Sequence, residues 1–172
     1  MAILVLFTSA IPTYANTFTE KLDETRSSKV EKTFTVSPGY WLDLDTRFTN
    51  VTITTEAGIN EMEVILITDV SAKTSEEAEK LINKLTGTVK QVGTRIKIKS
   101  SISEVVKSTL LDNEVKKVVF KDGTKFKFIK YEFSLKVKIP RHLNVEIVQE
   151  FGELYIGHLD GDLILNTDCT TV

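Results

Sequence analysis

The chain has 172 residues, of which 27% are charged, and its formal net charge at pH 7 is −2. This balance argues against a nucleic-acid partner, because such a partner needs a concentrated basic face. A chain of this length can bury a core without metals or disulfides, and its single cysteine, Cys169, cannot form an internal disulfide.

The N-terminus resembles the later part of a secretory signal peptide. A short apolar run at residues 3–7 is followed by small residues that fit a cut after Ala15. The basic start of such a peptide is missing, and the run is too short to span a bilayer. We therefore predict a signal peptide with a truncated start over residues 1–15 and export to the periplasm, outer surface or extracellular space. A buried N-terminal strand is the alternative.

The next segments predict a linker and then strands. Residues 16–29 carry many charges and few apolar side chains, which is typical of a flexible linker. Alternating apolar residues predict a first strand unit over about 30–57, with a turn at Ser37-Pro38-Gly39. Residues 61–70 have apolar side chains on both faces, which predicts a strand in the middle of a sheet.

Residues 74–85 are predicted to form the one helix of the chain. Thr74 and Glu77 match a capping box, in which each side chain bonds the other's free backbone donor. Gly87 supplies a stop signal. Four apolar residues fall on a single stripe at helical spacing: Ala78, Leu81, Ile82 and Leu85.

Two hairpins and a long strand follow. Residues 89–102 predict a hairpin around Gly93, and residues 115–128 predict another around Asp122-Gly123. Residues 131–139 alternate cleanly, and the apolar phase shifts just before them, which predicts a β-bulge at Phe128–Ile129. The segment 103–114 gives no clear prediction.

A short motif recurs near the C-terminus. Residues 152–156 and 161–165 both read small, polar, apolar, any, apolar, and are nine positions apart. An earlier copy, residues 48–53, matches 151–156 as Phe-x-x-apolar-x-Ile, and the lead-ins 42–45 and 143–146 also agree. Strands and turns at a fixed interval are typical of a β-solenoid.

These patterns predict a mainly β protein. Residues 30–172 would form a single β-rich domain of short β-solenoid or β-helix-like rungs, with 58–140 inserted as an α+β excursion containing the helix and 141–172 starting a repeat array. A last rung without a cap exposes apolar side chains. We therefore expect Leu163, Leu165 and Val172 at an open end, fraying after about Leu165, and self-association through that end.

Residues with reactive side chains do not form a recognisable site. His142 and His158 stand alone near turns, and Asp160-Gly161-Asp162 fits a turn better than a calcium loop. Free cysteines are often buried, so Cys169 is expected to be a small buried residue, the alternative being a thiol whose partner lies beyond the end. We predict no catalytic, cofactor-binding or metal site. Four acids on strands could serve a carbohydrate-active enzyme but fit solvated strand faces better: Asp43, Asp45, Glu146 and Glu150.

The chain also resembles a family of bacterial adhesins, a domain of unknown function related to auto-transporter adhesin head domains. The resemblance covers about residues 30–172, with 103–125 as an insertion, and matches only the N-terminal part of such proteins. It implies export and a continuing array of short β repeats, and it brings no catalytic residues. The matching stretches are 32–36, 42–45, 51–53, 75–79, 137–140, 143–146 and 151–163.

The function that we predict from these observations is non-enzymatic. An exported adhesin-like or scaffold protein would present a β-repeat surface to an envelope, matrix or glycan partner. An envelope accessory or sensor protein that contacts other envelope proteins is the first alternative. A carbohydrate-active enzyme on a β-helix, with two convergent acids, is the second. No cofactor and no transmembrane span are predicted.

Overall fold

The computed structural model describes residues 24–85, 87–100, 105–112 and 115–172, and within these ranges the protein is mainly β with one helix. The predicted signal peptide, residues 1–15, lies outside the described residues. In this part of the chain, no helix has the length and apolar character needed to cross a membrane. The elements in chain order are β1 (Glu24–Thr35), β2 (Trp41–Arg47), β3 (Thr49–Glu56), β4 (Glu61–Ala72), α1 (Ser75–Lys84), β5 (Gly87–Val92), β6 (Arg95–Ser100), β7 (Val105–Asp112), β8 (Val115–Phe120), β9 (Lys125–Pro140), β10 (Asn144–Ile156) and β11 (Leu163–Thr171).

Two groups of strands enclose the main core. Sheet A consists of β1, β4, β9, β3 and the end of β10, in that order, and sheet B consists of β5, β6, β2, β10 and β11. Because β10 contributes to both, the strands form a nearly closed, barrel-like sheet. On one side the first and last strands of this path approach each other, and Lys32 Nζ of β1 donates a hydrogen bond to the Val89 carbonyl of β5 at 2.6 Å.

The first strand corrects one prediction. The linker expected over residues 16–29 overlaps β1, since Glu24 to Lys29 pair with β4 in antiparallel register. Their charged side chains do not prevent pairing, because β1 lies at the edge of sheet A and the side chains remain in water. A charged composition fits an exposed edge strand as well as a linker, and it did not reveal the backbone partners that β4 supplies.

Alternation along the strands builds the core between the sheets. Every second residue of β2, β6 and the first half of β10 is buried, and these side chains meet buried residues of β3, β4 and β9. Each fully buried Leu, Ile or Val contributes about 1.5–3 kcal/mol relative to exposure. The same alternation directs the remaining side chains of sheet B to its outer surface. The buried residues of sheet B include Leu42, Leu44, Ile96, Ile98, Val145 and Ile147.

The helix covers a second, smaller core. Thr74 caps α1, because its side chain accepts a hydrogen bond from the Glu77 N–H at 3.2 Å, as predicted. Glu77 Oε2, one of the two oxygens that could complete the capping box, is buried and accepts no hydrogen bond. Leu85 ends the helix rather than Gly87, which starts β5 and lies against Leu66 so closely that a Cβ there would clash. The predicted stripe is buried: Ala78, Leu81, Ile82 and Leu85.

The two predicted hairpins are confirmed, and the ambiguous segment contributes a strand. β5 pairs with β6, and β8 pairs with β9. β7, which the ambiguous segment forms, pairs with β8 in antiparallel register. The register between β8 and β9 shifts between the pairs Lys116–Ile129 and Val118–Phe126, which is the irregularity predicted near Phe128. Asp122 in the second turn forms an ion pair with Lys84 of α1 and accepts a hydrogen bond from the Thr124 N–H, and these bonds lower the pKa of Asp122 to about 2.

Strands β2, β10 and β11 run parallel and side by side. Val145 of β10 pairs with Leu42 of β2 on one side and with Leu163 of β11 on the other. The side chain of Asn144 accepts a hydrogen bond from the backbone N–H of Asp162, 18 residues on, at 2.9 Å. The side chain of Asn50 accepts one from Glu153, 103 residues on, at 3.2 Å.

This register corrects two details of the sequence comparison. The lead-in 42–45 stacks on 145–148 rather than on 143–146, a shift of two residues that keeps every side chain on the same face. The motifs 152–156 and 161–165 do not stack on each other, since Gly152 pairs with Thr170. The two motifs that are nine residues apart therefore lie in different sheets: the first is at the end of β10 in sheet A, and the second is at the start of β11 in sheet B.

Sharp corners mark equivalent positions in the three stacked segments. Phe48, Phe151 and Cys169 all have positive φ, at 51°, 59° and 49°. This conformation costs a non-glycine residue about 1–2 kcal/mol. The rings of Phe48 and Phe151 stack with centroids 4.8 Å apart and planes within 5°, which offsets part of that cost. Buried Gln149 donates hydrogen bonds from Nε2 to the carbonyls of Thr49 at 3.1 Å and Glu153 at 3.3 Å beside the second corner.

The side of the molecule formed by β11 is uncovered. Leu163, Leu165 and Val172 are 45%, 41% and 72% exposed, as expected for an open end. β11 is paired with β10 up to Thr171, so the strand continues past Leu165, and the expected fraying stays a prediction. Parallel hydrogen bonds to β10 hold this segment although its apolar side chains lack a cover.

Candidate functional site

The four acids noted in the sequence lie together on the outer face of sheet B. Asp43 and Asp45 alternate with buried residues along β2, and Glu146 and Glu150 do so along β10. Asp43 and Glu146 are direct neighbours in the parallel register. The structure therefore joins carboxylates from two segments that are far apart in the chain.

Arg95 connects the carboxylates of two strands. Its Nη1 donates hydrogen bonds to Asp43 Oδ1 at 2.7 Å and to Glu146 Oε2 at 2.9 Å. These two bonds raise the pKa of Arg95 above its ordinary value, Asp43 having the larger effect. The guanidinium also lies over the ring of Trp41, 5.0 Å from its centroid, a cation–π geometry. One residue of β6 thus holds two carboxylates and an aromatic ring in fixed positions.

The remaining two acids also have cationic partners. Lys99 Nζ bonds Asp45 Oδ2 at 2.7 Å, and Arg47 forms an ion pair with Glu150. All four carboxylates are therefore engaged with guanidinium or ammonium groups of neighbouring side chains. This pattern stabilises the charges on the face but leaves neither a carboxylate pair sharing a proton nor a carboxylate in an apolar pocket.

Two lysines on the same face have no such partner. Lys90 of β5 and Lys97 of β6 lie directly opposite each other in antiparallel register, and neither forms an ion pair with another described residue. Asp43 is the register neighbour of Lys97 on β2, but its carboxylate is bonded to Arg95. Like charges directly opposite each other are destabilising. The pair therefore places two solvent-exposed positive charges at the β5 edge of sheet B.

A shallow depression of about 430 Å³ lies over these strands. The unpaired lysines lie at one side of it, and Glu146 and Val148 of β10 lie at the other. Basic side chains thus belong to β5 and β6, whereas acidic side chains belong to β2 and β10. The face offers separated positive and negative groups around an open hollow, which suits an extended polar ligand more than a small enclosed one.

The histidines and the Asp160-Gly161-Asp162 segment lie elsewhere. His158 Nε2 is 3.1 Å from Asp160 Oδ1 in the connection between β10 and β11, and both side chains are exposed. Gly161 is placed there because a Cβ would lie 2.5 Å from the carbonyl oxygen of Leu143. Among the described residues, no group of three or more His, Cys, Asp or Glu side chains could hold a metal ion.

Cys169 is exposed, so the prediction that it is a small buried residue is wrong. It occupies the corner position of β11, an edge strand, and no strand of the described chain covers it on that side. Its thiol lies 3.4 Å from Asp168 Oδ1, and this hydrogen bond and the negative charge raise the pKa of Cys169. The thiol is therefore accessible but little activated as a nucleophile.

The sequence did not reveal the basic half of the face. Arg95, Lys97 and Lys99 alternate with buried residues along β6, a pattern that indicates only a solvated strand face, and they do point outward. The pairing of Arg95 with Asp43 and of Lys99 with Asp45 depends on β6 lying next to β2, which is a parallel contact between segments separated by the helix. One signal in the sequence could have indicated this contact. Acidic residues at 43 and 45 and basic residues at 97 and 99 have the same two-residue spacing, so the two segments carry complementary charges.

No family model, curated protein or solved structure matches this chain.

Proposed function

We propose that the protein is a non-enzymatic, exported adhesin-like or scaffold protein that binds an envelope, matrix or glycan partner through the outer face of sheet B. The observation that carries this proposal is that Lys90 and Lys97, neither with an ion-pair partner, lie beside the carboxylates of Asp43 and Glu146 that Arg95 bridges. No other described element covers this face. Lysines without an ion-pair partner beside ordered carboxylates offer both signs of charge to a polar ligand.

The ion pairs support binding rather than acid–base chemistry. A glycosidase needs one carboxyl group with a raised pKa and a second carboxylate free to act as base or nucleophile. Here Asp43, Glu146 and Asp45 each bond a guanidinium or ammonium group. We assign these acids to organising the face and to contacting cationic or hydroxyl groups of a ligand.

We further propose that the parallel segments are rungs of a β-solenoid. Three observations support this architecture: in-register stacking of β2, β10 and β11, corners of positive φ at equivalent residues, and asparagine side chains that bond the next segment. The excursion that begins after β3 would then be an insertion within one rung. A stack of this kind presents a continuous outer face, which the strands of sheet B form in this protein.

Binding can be measured on immobilised polysaccharides, with heparin and alginate as anionic probes, chitosan as a cationic probe and dextran as a neutral one. If the unpaired lysines contact the ligand, the double substitution Lys90→Glu and Lys97→Glu should weaken binding of the preferred anionic probe at least about tenfold, or ~1.4 kcal/mol. The matched control is Lys107→Glu with Lys125→Glu, which makes the same charge change on the three antiparallel strands β7, β8 and β9, where both lysines line another surface depression.

Several results would contradict the proposal. Equal loss in both double variants would show that net charge alone drives binding. Retention by none of the polysaccharides, with binding only to envelope proteins, would favour the accessory or sensor alternative. Release of reducing ends that Glu146→Gln abolishes would favour the carbohydrate-active enzyme.

Export has its own test. Expressed in a bacterial host with a basic start added upstream, the protein should lose its N-terminus at or near Ala15, because the small residues there fit a signal-peptidase site. Intact mass spectrometry of the periplasmic and cytoplasmic fractions measures this. A soluble cytoplasmic product that retains residues 3–7 would exclude the signal peptide.

A further inference from the structure

A depression beside two of the sharp corners is lined mostly by apolar side chains. This corner depression lies where Phe48 and Phe151 meet Tyr131 of β9 and residues of β7, and its volume is about 240 Å³. Its lining consists of three aromatic rings, two valines, one serine and two basic side chains, and none of the described residues that line it is acidic. This volume is below that of drug-sized sites, so it suits a single ring with a short substituent.

The stacked phenylalanines present ring edges to the corner depression. The planes of Phe48 and Phe151 lie within 5° of each other, so the faces that they turn to each other are covered, and a group that touches both rings meets their edges. Ring edges are electropositive, and they favour the face of another aromatic ring or a negative group. Lys116 Nζ, 4.3 Å from the centroid of the Tyr131 ring, adds a positive charge nearby.

One polar group of this lining has no hydrogen-bond partner among the described residues. Tyr131 is only 5% exposed, and its buried hydroxyl forms no hydrogen bond. Burial raises the pKa of Tyr131, and Ser108, which also lines the corner depression, offsets only part of that rise, so the hydroxyl keeps its proton. A buried donor without an acceptor is costly, and a ligand oxygen would remove that cost. Because the hydroxyl is buried, β7, which pairs only with β8, must shift slightly to admit a ligand atom.

We propose that the corner depression binds a small aromatic carboxylate, an activity beyond the binding assigned to sheet B. The face of the ligand ring packs against the edges of Phe48 and Phe151, and the carboxylate accepts a hydrogen bond from the Tyr131 hydroxyl. Arg47 of the lining adds a second positive charge, although Glu150 shares it. A sugar ring fits less well, because its several hydroxyls would need polar partners and the described lining offers no carboxylate or amide.

Titrations of the full chain followed by amide chemical shifts can compare three probes of similar size. Cinnamate is the aromatic carboxylate, cinnamyl alcohol lacks its charge, and 3-cyclohexylpropionate lacks its aromatic ring. Cinnamate should bind with a dissociation constant of about 1 mM or less and at least about tenfold more tightly than each of the others. The shifted amides should include those of 47–48, 105–108 and 151. N-acetylphenylalanine carries the same chemistry at a peptide end, so its affinity relative to cinnamate distinguishes a peptide C-terminus from a free acid.

Tyr131→Phe removes the unpartnered hydroxyl and nothing else. It should weaken cinnamate binding at least about tenfold without lowering the urea midpoint, since the lost group had no partner in the free protein. Tyr155→Phe is the matched control, because Tyr155 is 62% exposed and lies outside the corner depression.

A charge change at the rim adds a second pair of variants. Val106, on β7, is 59% exposed, so Val106→Glu should fold normally and weaken cinnamate binding more than the neutral Val106→Gln of the same shape. The proposal would be overturned if no probe shifted these amides, if cinnamyl alcohol bound as tightly as cinnamate, or if Tyr131→Phe bound cinnamate like the wild type.

Discussion

Replacement of Gly152 by alanine should destabilise the protein by roughly 2–5 kcal/mol, since two costs combine at this position. Gly152 has a φ of +117°, which L-residues rarely adopt. A Cβ at this residue would also lie 2.3 Å from the carbonyl oxygen of Thr49, a backbone atom of the neighbouring segment. Because backbone cannot move aside as a flexible side chain can, the substitution should force β10 away from β3.

Gly39→Ala separates the two costs. Gly39 also has a positive φ, +88°, but a Cβ there would meet no atom within 4 Å. It should therefore cost only the conformational part, about 1–2 kcal/mol. Urea unfolding measures both values, with unchanged slopes as the sign that the unfolding reaction is the same. Equal costs in the two variants would mean that the close contact between the stacked segments is absent in solution.

The close approach at Gly152 illustrates what the sequence could and could not predict. The glycine, the phenylalanine before it and the apolar pair after it identified the motif, because turns and alternation are local properties of the chain. The register was not predictable in the same way. A shift of two residues keeps every apolar side chain on the same face, so the sequence comparison matched Leu42 with Leu143, whereas the structure pairs Leu42 with Val145.

Helix α1 and both hairpins were predictable for the same local reason. Thr74 marks the helix start, and Gly93 and Gly123 mark the turns, both with positive φ. The strand at 24–29 was missed because its stability comes from pairing with β4, a partner distant in sequence. Composition alone indicates only that such residues prefer solvent, and an edge strand also satisfies that preference.

In the candidate site, too, the sequence predicted what depends on neighbouring residues and missed what depends on contacts between distant strands. Alternation placed Asp43 and Glu146 on exposed strand faces, and the structure confirms this. What gives these carboxylates a defined arrangement is Arg95, which reaches both of them from a strand that follows the helix. Non-consecutive parallel neighbours of this kind depend on how the whole sheet is assembled, and one sequence does not report that.

Leu81→Ala should destabilise the protein by about 2–5 kcal/mol, because it leaves a cavity in the core beneath α1. Leu81 is fully buried in a cluster that contains Val70 of β4, Phe120 of β8 and Phe133 of β9. Glu79→Ala on the exposed side of the same helix is the control and should stay within about 0.5 kcal/mol.

The shape of the unfolding transition adds a second readout to this pair of variants. Strands β4 and β9 contribute buried residues both to the cluster under α1 and to the core between the sheets, for example Val70 and Leu66 of β4. Damage at Leu81 should therefore be transmitted to the whole domain, so the urea midpoint should fall while the slope of the transition stays the same. A reduced slope would show that the helix and the antiparallel strands β7 and β8 unfold separately from the rest of the domain. Equal midpoints for Leu81→Ala and Glu79→Ala would show that the helix does not pack on the sheet through this face.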